Sequence, residues 1–222
     1  MIRAVIFDLD GTLLNTLEDL YLSVNAALKA YGFPPRTIEE VRQFVGNGVR
    51  NLMRRSIPEG EENPRFEDCL LAFREHYAVH LEDHTRPYEG ITELIGKLAE
   101  QNRPMAIVSN KPDGAVRELN QRIFGSLIPV AIGESKGVMR KPKPDTVYEA
   151  VRRLGVRKED CIYVGDSEVD LETAKNSGIL CISVSWGFRE RKLLESLGAA
   201  RIADTPEELF DMLMKETGSN ME

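Results

Sequence analysis

The sequence predicts an α/β fold on a parallel β-sheet, with a helical segment inserted after the first strand. Three observations carry this expectation. Short, β-rich apolar runs end repeatedly in polar turns, segments of helical periodicity separate those runs, and residues 15–85 contain helical patterns alone. The first run is Ile2 to Phe7, ending in Asp8-Leu9-Asp10-Gly11-Thr12. Thr16-x-x-Asp19 resembles a capping box and opens a helix with Leu17, Leu20, Val24 and Leu28 on one stripe, closed by Gly32 and Pro34. Thr37-x-x-Glu40 opens a second helix, Val49 to Ser56 forms a third, and Asn63-Pro64 opens a fourth carrying Phe66, Cys69, Leu70, Phe73 and Tyr77. Ile91, Leu94, Ile95 and Leu98 return to helical spacing. They precede a strand at 105–108 that runs into Ser109-Asn110-Lys111. A weaker strand follows at 128–132. Asp145 is then the expected N-cap of a helix ended by Gly155. Strands at 161–164 and 180–184 run into Gly165-Asp166-Ser167 and Ser185-Trp186-Gly187, and Thr205-Pro206-Glu207-Glu208 starts a last helix. The expected organisation is a core of residues 1–14 and 86–222 around a helical cap at 15–85.

Composition narrows the function classes. The 222 residues hold 36 acidic and 29 basic side chains, a net charge of −7, which argues against a duplex nucleic-acid binder needing a basic stripe. No run reaches the roughly 20 apolar residues of a membrane span, and the apolar start stops at Asp8, too short for a signal peptide. Cys69, Cys161 and Cys181 form no C-x-x-C pair, so a reducing, cytoplasmic compartment is expected. The expected state is a monomer or weak homodimer with neither a nucleic-acid nor a membrane partner.

In parallel sheets ligands bind beyond the carboxyl ends of the strands, and the polar residues of interest fall there. Asp8 and Asp10 place two carboxylates at one strand end: one can attack phosphorus, the other can pass a proton to a leaving oxygen. The plain alternative is an Asx-turn closing the strand. Asp166 and Asp170 add two carboxylates, and a hard divalent cation such as Mg2+ takes such oxygen ligands; either can equally serve a helix N-terminus. Ser109 can hydrogen-bond a phosphate or cap a helix. Lys141, in Arg140-Lys141-Pro142-Lys143-Pro144, whose two prolines fix the local backbone, can neutralise a phosphoryl group or sit in a solvated loop.

Taken together, Asp8-x-Asp10-Gly11-Thr12, Ser109, Lys141 and Gly165-Asp166-Ser167-x-x-Asp170 resemble, in this order, the motifs of the haloacid dehalogenase superfamily of phosphatases. The resemblance covers essentially the whole chain and implies a Rossmann-like core with a C1-type cap. Phe44 to Gly48, Ser109-Asn110-Lys111 and Ser185-Trp186-Gly187-Phe188 resemble its phosphoglycolate phosphatase branch. The resemblance implies Asp8 as nucleophile and Mg2+ ligand, and Asp10 as general acid/base that binds Mg2+ through its carbonyl. It implies Ser109 and the Asn110 amide as phosphoryl contacts, Lys141 as charge balance, Asp166 as Mg2+ ligand and Asp170 as its support. The implied substrate is a small phosphorylated metabolite, with phosphoglycolate foremost. A sugar phosphomutase or pyrophosphatase on the same scaffold stands as the alternative, and a non-catalytic phosphate-binding module as the reading from another class. In the cap, Asn47 between two glycines is the expected substrate contact. His76, His80 and His84, at i, i+4 and i+8, have a spacing that can hold Zn2+ but read as a solvated face. Arg54 and Arg55 read likewise, and Trp186 reads as a packing residue.

Overall fold

The computed structural model describes residues 4–218. The chain opens with β1 (Ala4–Phe7) and passes into four helices: α1 (Leu17–Ala30), α2 (Ile38–Phe44), α3 (Gly48–Ser56) and α4 (Phe66–His80). It then alternates through α5 (Ile91–Glu100), β2 (Met105–Pro112), α6 (Asp113–Ile123), β3 (Val130–Glu134), α7 (Asp145–Leu154), β4 (Cys161–Gly165), α8 (Glu168–Ser177), β5 (Leu180–Val184), α9 (Arg191–Ser196), β6 (Ile202–Ala203) and α10 (Pro206–Gly218). The chain divides into two compact units, residues 4–14 with 87–218 and Asn15–Arg86. No helix among the described residues is long and apolar enough to cross a membrane.

In the first unit the strands β1 to β6 form one parallel sheet in the order β3-β2-β1-β4-β5-β6. The order reverses beside β1, because β2 and β3 extend the sheet on one side and β4, β5 and β6 on the other. A crevice opens at such a reversal, beyond the carboxyl ends of the strands. β1 is buried on both faces, as Ala4, Val5, Ile6 and Phe7 all are, which is why it reads as a continuous apolar run. Ala4 and Ile6 join Ala106, Val108, Cys161 and Tyr163 on one face, against Val147 and Ala150 of α7 and Ala174 of α8. Register fixes what leaves the sheet. Phe7 lies beside Ile107 and Val164, so Asp8, Ser109 and Asp166 emerge at adjacent strand ends.

In the second unit α1 and α4 pack along Leu20, Val24 and Leu28 against the apolar face of Phe66, Leu70, Phe73 and Tyr77. The Thr37–Glu40 capping box forms at the start of α2, with Glu40 N–H donating to Thr37 Oγ1 at 3.2 Å. The one expected at Thr16 does not form. Asp19 is turned away from Thr16 and accepts the backbone N–H of His84 at 2.9 Å and of Thr85 at 2.8 Å, tying the exit of the unit to its first helix. A carboxylate with two distant N–H donors has a better use than its own helix start.

The α/β class with a mainly parallel sheet is borne out. Local boundaries differ where backbone pairing outweighs pattern. The weaker strand expected at 128–132 is shifted to Val130–Glu134, β2 runs on to Pro112 alongside it, and Asp145 is the first residue of α7, not its cap. The fourth helix starts at Phe66, because Asn63 Oδ1 accepts the N–H of Arg65 in a local turn. Ile2 and Arg3 of the first expected strand lie outside the described residues.

Candidate active site

Four loops at the carboxyl edge of the sheet meet around Asp8. Lys141, from the loop before α7, is 2% exposed; its Nζ lies 2.7 Å from Asp8 Oδ1 and 2.8 Å from Asp170 Oδ1. It also donates to the Tyr163 hydroxyl at 3.1 Å, which donates to Asp170 Oδ1 at 2.9 Å. Asp170 Oδ2 accepts both the N–H and the hydroxyl of Ser167, at 3.1 and 2.6 Å, at the start of α8. Asp170 thus holds the helix start, one of the two readings its sequence offered, and it also anchors Lys141, which the sequence did not suggest.

Asp166 is 1% exposed and accepts the N–H of Phe188 at 2.7 Å and the hydroxyl of Thr12 at 3.3 Å. Gly11, at φ +90°, lets the chain turn directly against this carboxylate, because a Cβ there would overlap Asp166 Oδ2. Gly187 meets the same group from the other side. Gly11→Ala is therefore expected to destabilise the fold by about 1–3 kcal/mol, read by urea denaturation. An unchanged midpoint would show that the turn relaxes without cost.

Asp10 and the end of β2 form the remaining wall. Lys111 Nζ lies 2.8 Å from Asp10 Oδ1, and Ser109 Oγ donates to Asp10 Oδ2 at 3.5 Å. Asn110 donates from Nδ2 to the carbonyl of Lys141 at 3.0 Å, joining two of the predicted positions.

Burial sets the electrostatics. It raises Asp8 well above the ordinary carboxylate range, and Asp170 adds to this while Lys141 opposes it. Burial and then repulsion from Asp170 push Asp166 up to about 7. Burial acts the same way on Asp170, but the ammonium of Lys141 and the donors of Ser167 and Tyr163 outweigh it and hold that carboxyl low. For Lys141 burial disfavours the charge, and Asp170 with Asp8 more than restores it, so the ammonium is held above the ordinary lysine value. Carboxylate oxygens of Asp8, Asp166 and Asp170 lie within 4.8 Å of one another. Three buried carboxylates against one lysine form an oxygen-only site short of positive charge, the condition a hard divalent cation meets. Asp170 already serves Lys141, Tyr163 and Ser167, which leaves Asp8 and Asp166 as the side chains better disposed toward a cation.

The structure brings together Asp8, Asp10, Ser109, Asn110, Lys141, Asp166 and Asp170. Asn47 belongs to the second unit, as the residue before α3 between Gly46 and Gly48, and its side chain makes no capping hydrogen bond. His76 and His80 stack with ring centroids 4.3 Å apart, but the three histidines form no shared ligand set among the described residues. His76 pairs with Ser23 at 3.0 Å, His80 with Asp83 at 2.7 Å and His84 with Glu18 at 3.4 Å, and His84 lies past the end of α4. Trp186 packs beside the motif loop, donating from Nε1 to the Thr12 carbonyl at 3.0 Å.

Sequence reasoning gave no role to Lys111, Tyr163 or Arg189. Lys111 was accessible, since residues two apart on a strand share a face and Ser109 already pointed at the site. Tyr163 looked like one more apolar strand residue. Arg189 forks onto Glu168 at 2.8 and 2.9 Å, a pairing across 21 residues that only the fold creates.

A parallel sheet with buried carboxylates at its switch point, one of them held by a buried lysine, defines the class: an α/β core whose active-site candidate is an oxygen-lined cluster able to hold a cation. The chain belongs to the haloacid dehalogenase-like hydrolase family, whose family model matches residues 5–184. It is similar to phosphoglycolate phosphatase 1 of Pseudomonas aeruginosa, 32% identical over 216 residues, covering 94% of this chain and 78% of that protein. It is also similar to the N-acetylmuramic acid 6-phosphate phosphatase of the same organism, 29% identical over 96% of this chain and 95% of that one. Among solved structures, a candidate phosphoglycolate phosphatase from Lactobacillus delbrueckii subsp. bulgaricus superposes with a TM-score of 0.91 at 36% identity, covering 95% of this chain and 98% of that chain.

Proposed function

We propose that the chain is a Mg2+-dependent phosphatase that hydrolyses a small phosphomonoester, phosphoglycolate foremost, through a phosphoryl group carried on Asp8. The observation that carries this reading is the buried Asp8–Lys141–Asp170 chain, with contacts of 2.7 and 2.8 Å. It fixes one carboxylate oxygen of Asp8 and leaves the other to act on an incoming phosphorus. Asp166 lies beside it and suits a cation.

The residue roles follow from position. Asp8 attacks phosphorus as the bond to the leaving oxygen breaks, and Asp10 gives that oxygen its proton. Asp10 then takes a proton from the water that attacks the phosphorylated Asp8, releasing inorganic phosphate and restoring the carboxylate. Ser109 and the Asn110 amide hold the phosphoryl oxygens, and Lys141 offsets their charge. Mg2+ bound by Asp8, Asp166 and the Asp10 carbonyl would neutralise the phosphoryl oxygens and draw nucleophile and substrate together. The three free cysteines support a reducing, cytoplasmic setting.

The experiment is a phosphate-release panel with phosphoglycolate, sugar phosphates including N-acetylmuramic acid 6-phosphate, nucleotides and pyrophosphate. The highest kcat/KM on phosphoglycolate is the expected result. A preference for pyrophosphate, or isomerisation of a sugar phosphate without release, would overturn it. The same panel tests Asn47, whose side chain is not consumed in capping α3. Asn47→Ala is expected to change relative kcat/KM across the panel while sparing a small aryl phosphate, because lost leaving-group contacts affect only substrates that made them. A uniform fall would assign Asn47 to the folding of its own unit.

A further inference from the structure

Lys111 has no part in the roles given above, yet it is buried and aimed at Asp10. Its side chain is 3% exposed, and its Nζ meets Asp10 Oδ1 at 2.8 Å. The other carboxylate oxygen, Oδ2, receives Ser109 Oγ at 3.5 Å, and Ser109 Oγ in turn accepts the N–H of Lys111 at 3.2 Å. Ser109 and Lys111 are two residues apart on β2, so both reach the same face of the strand end, and each takes one oxygen of the same carboxylate. Held closely at one oxygen by Lys111 and approached at the other by Ser109, the carboxylate is restricted in its rotation. Asp10 is the more exposed partner, with 16% of its side chain accessible, and it sits on the motif turn. A group that must deliver a proton to one particular oxygen gains most from being held in that way. Misplacement by about 1 Å can cost on the order of a hundredfold in rate.

We propose that Lys111 is the positioning residue for Asp10: with Ser109 it aims the carboxyl group at the leaving oxygen, and its contribution is confined to proton delivery. This rests on the reading of Asp10 as general acid/base. Lys111 itself forms and breaks no bond. The proton moves from Asp10 to the leaving oxygen as the phosphorus–oxygen bond breaks, and returns to Asp10 from the attacking water.

The test is the dependence of kcat/KM on leaving-group acidity, measured with Mg2+-loaded enzyme on aryl phosphates from p-nitrophenyl to unsubstituted phenyl. Wild-type enzyme should show a shallow dependence, because Asp10 protonates the poorer leaving groups. Asp10→Asn should steepen it, because phenolate needs the proton on leaving and p-nitrophenolate does not, while any loss in the water step falls on both substrates alike. Lys111→Met, close in length and apolar, should steepen it in the same sense. The expected loss is larger by about tenfold or more on phenyl phosphate than on p-nitrophenyl phosphate. Asp10→Asn combined with Lys111→Met should match Asp10→Asn alone on phenyl phosphate. If Lys111→Met does not fold, Lys111→Gln, which keeps a polar terminus in the buried site, reads the same slope. Lys111→Arg should stay nearer wild type than either.

A purely structural role would lower all substrates equally and leave the slope unchanged; that result overturns the proposal. A slope steepened by Asp10→Asn but not by any Lys111 variant overturns the positioning role alone. A slope unaffected by Asp10→Asn removes the acid role on which the proposal stands, and the proposal with it.

Discussion

Asp8→Asn should abolish turnover, by on the order of a thousandfold or more, while the protein stays folded. The amide is nearly isosteric with the carboxylate but is a poor nucleophile. The fold should tolerate the change because Lys141 keeps its second carboxylate, Asp170, at 2.8 Å. Stability gives an independent sign. Burial holds Asp8 well above its ordinary range, so its ionised form is disfavoured in the folded state. A raised carboxylate in the native state weakens the fold as pH rises above the unfolded value. Replacing it with a neutral amide should therefore leave the Tm of metal-free protein unchanged or higher at neutral pH. Folded variant with more than a few per cent of wild-type activity would remove Asp8 from the chemistry.

Chelation should have a comparably large effect. EDTA is expected to abolish phosphate release and Mg2+ to restore it, while excess Ca2+ inhibits, because its larger and looser shell does not hold Asp8 in line for attack. The same cation should raise the Tm of the chelated protein by mass action, since it binds the folded state. Asp166→Asn should reduce that Tm increment even where no substrate is present. The reason is the charge balance of the pocket: burial and Asp170 push Asp166 up to about 7, and a cation relieves that penalty. Full activity in chelator would sink the assignment of Asp166 as a ligand, and a Tm indifferent to Mg2+ would do so without reference to activity.

Much of the fold was legible because a parallel sheet buried on both faces leaves a sequence trace that little else imitates. Val5-Ile6-Phe7 and Ile162-Tyr163-Val164 are continuous apolar runs, and each stops where a carboxylate must emerge. Asp8 and Asp166 were therefore visible as candidate site residues before any geometry was known. The two-residue β6 was not visible, because Ile202-Ala203 carries no periodicity and is defined only by its pairing with Ser183 and Val184. Asp19 shows the same limit from the polar side. Its spacing from Thr16 suggested a local cap, but the donors it takes lie 65 and 66 residues away.

Within the site, the sequence revealed the residue types but not their division of labour. The two carboxylates of the Gly165-Asp166-Ser167-x-x-Asp170 motif read alike as possible ligands. The structure separates them: Asp170 is occupied by Lys141, Tyr163 and Ser167, while Asp166 meets Thr12 and Phe188 beside Gly11. Lys111 was overlooked for the opposite reason: next to three stronger motifs, a lysine at a strand end looks like an ordinary solvated charge until its burial is seen.

The central claim is that the phosphoryl group passes through Asp8 on its way to water. The stereochemical course at phosphorus tests it most directly, using a phosphorothioate substrate made chiral with sulfur and two oxygen isotopes and hydrolysed in water of the third isotope, so that the released thiophosphate is itself chiral. Each in-line displacement inverts phosphorus, so transfer to Asp8 followed by transfer to water must give net retention of configuration. Retention is the predicted result. Net inversion would mean a single displacement by water, and would contradict nucleophilic catalysis by Asp8 however strongly its mutation reduced the rate.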